Sequence, residues 1–433
     1  MPAFEQYKLS NGTRIIIAPS HDTQAVTALA YFAVGSRYEP MPLWGGSHFI
    51  EHMMFKGTEK RPKTEDLSKQ LDAVGADYNA FTSKDHTAYY VKIAARHTEL
   101  ALDLLSDMLY KSKFDAEEFE RERGVIVEEL NMYEDNPSMK VEELFEEHMF
   151  AGNMLGARIG GPVENIKSMD LGALIAYKKR FYAPEHLVLV LAGKVEKKVR
   201  PLIKKYFGAE KTHGVKQLTH KKFSWTAARK ASPDPVKVMF KQTDQMHMVL
   251  GFPAFNYDDP RNAALLLLHV ILGGSMSSRL FIGVRERRGL CYIIRTGVTN
   301  YSDAGAFTIT SGLDKSRLNE AMSVMYEELQ TLLKTGVTET EVKMAKDHLA
   351  GKMILQFEDS ARVADFFGQQ KLLMKKVETP EEKFKRIMKV SVADVNAVAR
   401  EVINFKNAKM GVIGPYKSGA EFLKAARLPW LPK

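Results

Sequence analysis

The chain reads as one pattern written twice. Two stretches of about two hundred residues flank a polar segment, and each carries the same kinds of feature in the same order, the first thing to test for in a chain of 433 residues. Each opens with a strand-like run, residues 13–18 (TRIIIA) in one and 236–240 (VKVMF) in the other, and a second strand follows at 26–34 and at 247–252. An apolar helix ending in glycine comes next (45–57; 262–274), then alternating strands at 87–94 and 306–311. Amphipathic helices follow, marked by Leu100, Leu104, Leu105 and Met108 in the first stretch and by Leu318, Met322, Met325 and Leu329 in the second. A duplication is the simplest account.

A chain of this length exceeds one ordinary core, so two domains are expected, 1–207 and 236–433, with the basic, weakly periodic segment 208–235 between them as linker and hinge. Strands interleave with long helices, and some are separated only by turns such as 300–305 (NYSDAG). This indicates an α+β fold of two homologous sandwich domains, each a mixed, mainly antiparallel sheet packed with helices. The alternation at 87–94 predicts a sheet with one face toward solvent.

With 45% hydrophobic and 27% charged residues the composition is that of a soluble globular protein. The start of the sequence lacks a basic, then apolar leader, and no run is apolar for long enough to span a membrane, so a cytoplasmic protein with no membrane partner is expected. The single cysteine, Cys291, lies in an apolar stretch and reads as a small buried residue, which argues against thiol chemistry. The net charge of +9 is spread along the chain without the arginine and aromatic pattern of a nucleic-acid module, so no nucleic-acid partner is expected.

The stretch 45–57, GGSHFIEHMMFKG, contains H-x-x-E-H, which on a helix projects His48, Glu51 and His52 from one face. Two imidazoles so placed can bind one zinc, and a carboxylate just before the second can reach a metal-activated water without itself ligating. A catalytic zinc also needs a third protein ligand. Asp115-Ala-Glu-Glu118 reads as a capping box that opens a helix continuing as FERERGVIVEELNMY. Glu122 and Glu129 lie two turns apart on one face of it, Glu128 reads as solvated, and the neighbouring Val125, Ile126 and Val127 argue that part of the helix is buried.

These residues resemble the inverted zincins of the pitrilysin and mitochondrial-processing-peptidase type, in which H-x-x-E-H is followed by a glutamate after 76 intervening residues. Glu129 stands at that distance from His52. The resemblance runs from Leu9-Ser-Asn-Gly-Thr13 through HFIEHMMFKGT and residues 78–88 (YNAFTSKDHTA) into the second half. It implies one zinc per chain on His48, His52 and Glu129, Glu51 as general base, and Glu122 as a residue orienting a histidine or the water. It also implies that Asn79 and Ala80 belong to an edge strand on which a peptide substrate lies.

In the second half, the alignment of the two apolar helices puts Leu265, Leu268 and His269 opposite His48, Glu51 and His52, and Lys352 falls opposite Glu129, so no second zinc is expected. The run RLFIGVRERRGLCY (279–292) instead resembles the segment that supplies an arginine and a tyrosine to the active site, here Arg285 and Tyr292, as donors to the substrate carbonyl and oxyanion. The function implied is a zinc endopeptidase acting on unfolded peptides, working as a homodimer. The alternatives are a scaffold of the same fold without activity, a presequence-processing subunit, and a zinc-stabilised structural module, which would require cysteine ligands that the chain lacks.

Overall fold

Among the described residues of the computed structural model (4–20, 22–196, 198–215, 219–428 and Trp430), the strand-forming runs build two sheets. The first holds β1 (Glu5–Lys8), β2 (Arg14–Pro19), β3 (Ala25–Phe32), β4 (Asp77–Thr82), β5 (Thr87–Ala94) and β6 (Leu187–Gly193), in the order β1-β2-β6-β3-β5-β4. The second holds β7 (Val236–Phe240), β8 (Gln245–Ala254), β9 (Cys291–Asn300), β10 (Gly305–Asp314) and β11 (Lys409–Gly414), in the order β7-β11-β8-β10-β9. In the first, β2 and β6 run parallel and the other neighbours antiparallel. In the second, β7 and β11 are the parallel pair. Leaving β1 aside, the two sheets share one order and one pattern of direction, so the repeat in the sequence is a repeat in topology. The fold is mixed α+β with two mainly antiparallel sheets.

The first five helices are α1 (Gly46–Met53), α2 (Thr64–Asp72), α3 (Thr98–Lys111), α4 (Ala116–Asp135) and α5 (Pro137–Met149), of which α1 and α4 carry the candidate site residues. As expected, Asp115 opens α4, its carboxylate accepting the N–H groups of Glu117 and Glu118. The ring of Phe49 on α1 stacks on Phe119 of α4 at 4.5 Å, with both side chains buried. That contact, worth of order 1 kcal/mol beyond area burial, holds the two motif-bearing helices together.

The two compact units are not the contiguous halves 1–207 and 236–433. One contains residues 1–131, 157–221 and 353–383, the other 132–156, 222–352 and 384–433. The reason is a pair of helices. In the first unit the Ser360–Leu373 helix lies on β3 and β6, with Val363, Ala364 and Phe367 in one core with Leu29, Tyr31, Val188 and Val190. In the second unit α5 does the same on β8 and β11, with Val141, Leu144 and Phe145 against Val249 and Ile413. The approach is close: a Cβ on Gly251 would stand 2.1 Å from the Phe145 ring, so β8 needs glycine there.

These helices also change the expected exposure of the sheets. β5 keeps its alternation at residues 90–94, but β6 is buried along its whole length and β3 along all but its first residue, because a helix covers the face that the alternation left for solvent. The 208–235 segment is partly helical (Trp225–Ala231, with Ser224 capping it), and residues 216–218 of it lie outside the described residues.

Candidate metal centre

Helix α1 is preceded by Gly45, whose φ of 97° lies in the left-handed region that glycine favours and which has no side chain to cap the helix. Instead Glu39, 5% exposed, reaches its first turn: Oε2 accepts from Gly45 N at 2.7 Å and Oε1 from Ser47 N at 2.6 Å. Burial pushes the Glu39 carboxyl up to about 8, against the pull of those two bonds and of Lys84. The helix then presents His48, Glu51 and His52 on one side, as the motif predicts.

On α4, Ile126 and Leu130 face the core while Glu129 faces the histidines and Glu128 is exposed. Val125 is exposed, so the burial expected of the 125–127 run is carried mainly by Ile126. The three ligand-type atoms converge: His48 Nε2 and His52 Nε2 are 3.3 Å apart, His52 Nε2 and Glu129 Oε2 3.4 Å, and His48 Nε2 and Glu129 Oε2 3.7 Å. A tetrahedral zinc with bonds of about 2.05 Å spaces its ligands roughly 3.3 Å apart, so these edges fit one ion. Among the described residues this is the group of three such side chains that could hold a metal.

The surrounding shell fixes one imidazole and leaves the other to its backbone. His52 Nδ1 donates to Glu122 Oε1 at 2.8 Å, which leaves Nε2 free to ligate, and the other oxygen of Glu122 is paired with Lys56 Nζ at 2.6 Å. Burial opposes ionisation of Glu122, but the bonds from His52 and Lys56 outweigh it and hold its carboxyl below the usual range. His48 Nδ1 is buried without a partner, and burial followed by the nearby His52 pulls its pKa down to about 4, which keeps this imidazole neutral.

Glu51 stays off the ligand set. Burial raises its pKa, and Thr82 Oγ1 at the end of β4 donates to its Oε2. β4 is the edge of its sheet, with Asn79 exposed and Ala80 buried, and Ala80 N donates to Asn79 Oδ1 at 2.8 Å. The first unit thus brings together His48, Glu51, His52, Glu122 and Glu129 and sets Asn79 and Ala80 on an edge strand.

In the second unit Arg285 is the next-to-last residue of a short π-helix, Phe281–Glu286, and Tyr292 is the second residue of β9. The Arg285 guanidinium lies 4.8 Å from the Phe281 ring and 5.1 Å from the Tyr292 ring, so the expected pair is one cluster, with Tyr292 69% exposed. His269, opposite His52 in the repeat, is held to Thr296 Oγ1 by Nδ1 at 2.8 Å. Sequence reading missed Glu39, Lys56 and Thr82. The last two stand inside the quoted motifs, whereas nothing in a single sequence marks Glu39 as the cap of a helix six residues on.

A model of the Insulinase family (Peptidase family M16) matches residues 14–163, and one of the Peptidase M16 inactive domain matches 168–349. A protein of Streptomyces coelicolor described as an uncharacterized zinc protease is 34% identical over 94% of this chain and 89% of its own length. One of Bacillus subtilis with the same description is 32% identical over 95% and 98%. A solved protease from Helicobacter pylori superposes with a TM-score of 0.88 at 22% identity, covering 96% of this chain and 100% of that one, and so shares the fold. With identity of this order sustained over nearly the whole length, and family models matched in sequence across both halves, the chain belongs to the insulinase family of peptidases, M16.

Proposed function

We propose that this chain is a zinc-dependent endopeptidase that hydrolyses unfolded peptides, with one zinc on His48, His52 and Glu129. The observation that carries the reading is the convergence of those three ligand atoms beside a carboxylate, Glu51, that shares α1 with His48 and His52 but accepts a hydrogen bond from Thr82 of the edge strand. Bound there, zinc would supply Lewis-acid polarisation of the peptide carbonyl and acidify a water. Glu51 accepts the proton of that water and passes it to the departing amine. Its raised pKa suits a base that must also give the proton back. Glu122 holds His52 in the Nδ1–H tautomer. β4 offers its free edge to an extended chain at Asn79 and Ala80, which favours unstructured substrates. Arg285 and Tyr292 are assigned to the substrate oxygen, and the working unit to a homodimer, both on the family resemblance.

The test is Glu51→Gln. It should abolish cleavage of a mixed peptide library while zinc content stays at one per chain, because the ligands remain. Near-normal turnover in this variant removes Glu51 from the role of base, and a parental protein that takes up no zinc removes the reading altogether. Light scattering of the active protein tests the assembly, for which a fully active monomer is the contrary result.

A further inference from the structure

We propose that Glu39 is a positioning residue of the metal centre, which fixes His48 by holding the two N–H groups that open α1. The inference rests on the metal reading above and concerns what keeps that site in shape.

The first turn of α1 is poorly specified by its own sequence. Gly45 and Gly46 have no side chains to cap it, and glycine is the residue least restrained in backbone. Yet His48 stands only three residues after Gly45. On the side away from the proposed metal its ring is not oriented by a hydrogen bond, since Nδ1 has no partner, whereas His52 Nδ1 is bonded to Glu122. The position of His48 Nε2 must therefore come from the helix backbone and the packing around it. At that end of the helix, the polar contacts to Gly45 N and Ser47 N both come from Glu39.

Glu39 is itself anchored. It closes a short 3-10 turn, Ser36–Tyr38, in which Ser36 N and Arg37 N donate to the carbonyls of Ser83 and Lys84 at 3.0 and 3.1 Å. The Arg37 guanidinium pairs with Asp85 at 2.9 Å, and neither side chain is accessible. Residues 83–86 are the turn that joins β4 to β5, immediately after Thr82. One four-residue segment, 36–39, thus grips the turn next to the hydroxyl that orients Glu51 and also the start of the helix that carries His48. It sets the spacing between the ligand helix and the strand edge. Sites of this kind lose function with errors of about 0.5 Å, so a cap that is merely structural elsewhere is here tied to the metal geometry.

The experiment is Glu39→Gln. Glutamine keeps the size and one acceptor but turns an NH2 group toward one of the two N–H groups. The expected result is a zinc dissociation constant weakened about 10- to 100-fold, the range for residues that orient ligands. The visible spectrum of the cobalt-substituted protein should change, and the amides of residues 45–48 should exchange faster, while kcat falls more than KM rises. Parental zinc affinity and a parental cobalt spectrum, even with a lowered Tm, would overturn the proposal, because a cap with no part in the site affects stability alone. Should Glu39→Gln not fold, Glu39→Asp, which keeps both oxygens but is one methylene shorter, carries the same measurements. A parental protein that binds neither zinc nor cobalt instead sinks the metal reading, which separates the two failures.

Discussion

Thr82 Oγ1 donates to Glu51 Oε2 at 2.5 Å, so the last residue of the edge strand orients the carboxylate next to His52, a proposed metal ligand. The bond joins the surface proposed to bind the peptide to the group proposed to take its proton. Thr82→Val keeps the shape of the side chain and removes the donor. The expected outcome is a fall in kcat of roughly tenfold, the size of one hydrogen bond to a charged group, with zinc content unchanged. Thr82→Ser should restore most of it. Steady-state kinetics with metal analysis decide the matter, and an unchanged kcat in the valine variant would mean that the bond does not orient the base.

His86 gives a prediction about acid stability. It is buried in the turn between β4 and β5, its ring edge-on to Tyr31 and Phe81, and burial lowers its pKa from 6.5 to about 4. The unfolded chain therefore takes up a proton at this residue between pH 6.5 and 4 while the native chain does not. The neutral side chain's contribution is fully present above pH 6.5 and is lost as pH falls toward 4, by about 3 kcal/mol at most. His148 in the second unit is also lowered to about 4 by burial and then by Lys409, so part of the slope will persist. Tm measured from pH 7 to 4 should fall less steeply in His86→Phe than in the parent. Parallel curves would show that His86 is not a source of acid sensitivity.

Much of this was legible in the sequence because the signals are local. H-x-x-E-H places three side chains on one helical face by periodicity alone, and the two apolar runs, TRIIIA and VKVMF, are the strands β2 and β7. What stayed hidden depends on contacts across the chain. No residue in α5 or in the Ser360–Leu373 helix announces which sheet it covers. A contiguous division of the chain was the natural reading and misses both. Glu39 was invisible for a related reason: its role lies in which N–H groups it meets, and a glutamate before Pro40 reads as loop.

The cluster of Arg285 and Tyr292 tests whether the second unit takes part in chemistry. The guanidinium is flanked by two aromatic rings, a contact that stiffens it without using its N–H donors. Donors held ready in this way suit an oxyanion. Arg285→Ala and Tyr292→Phe should each slow peptide hydrolysis by roughly tenfold or more and leave zinc in place. Loss of metal in either variant would contradict the assignment, since neither residue belongs to the unit that carries the proposed ligands.

The exchanged helices change what the 208–235 segment can be. Were it the one connection between two contiguous halves, cutting it would free them. Instead the N-terminal side of the cut carries α5, whose Phe145 is seated against Gly251 and Gly411 in the second unit. The C-terminal side carries Phe367, buried with Tyr31 in the first. Extracting Phe145 alone would cost about 3–5 kcal/mol, and the helix buries Val141, Leu144 and Met149 as well. A protease site introduced between residues 211 and 222 and then cleaved should therefore yield two fragments that co-elute under native conditions and separate only in denaturant. The cleaved protein should keep its zinc, because all three ligands lie on the N-terminal fragment within one unit. If it also keeps turnover, the segment is a tether. If turnover falls with zinc retained and the fragments still together, the continuity of the segment matters to the working cycle, as a hinge requires. Fragments that part on cleavage without denaturant would mean that the helix exchange does not hold the units in solution.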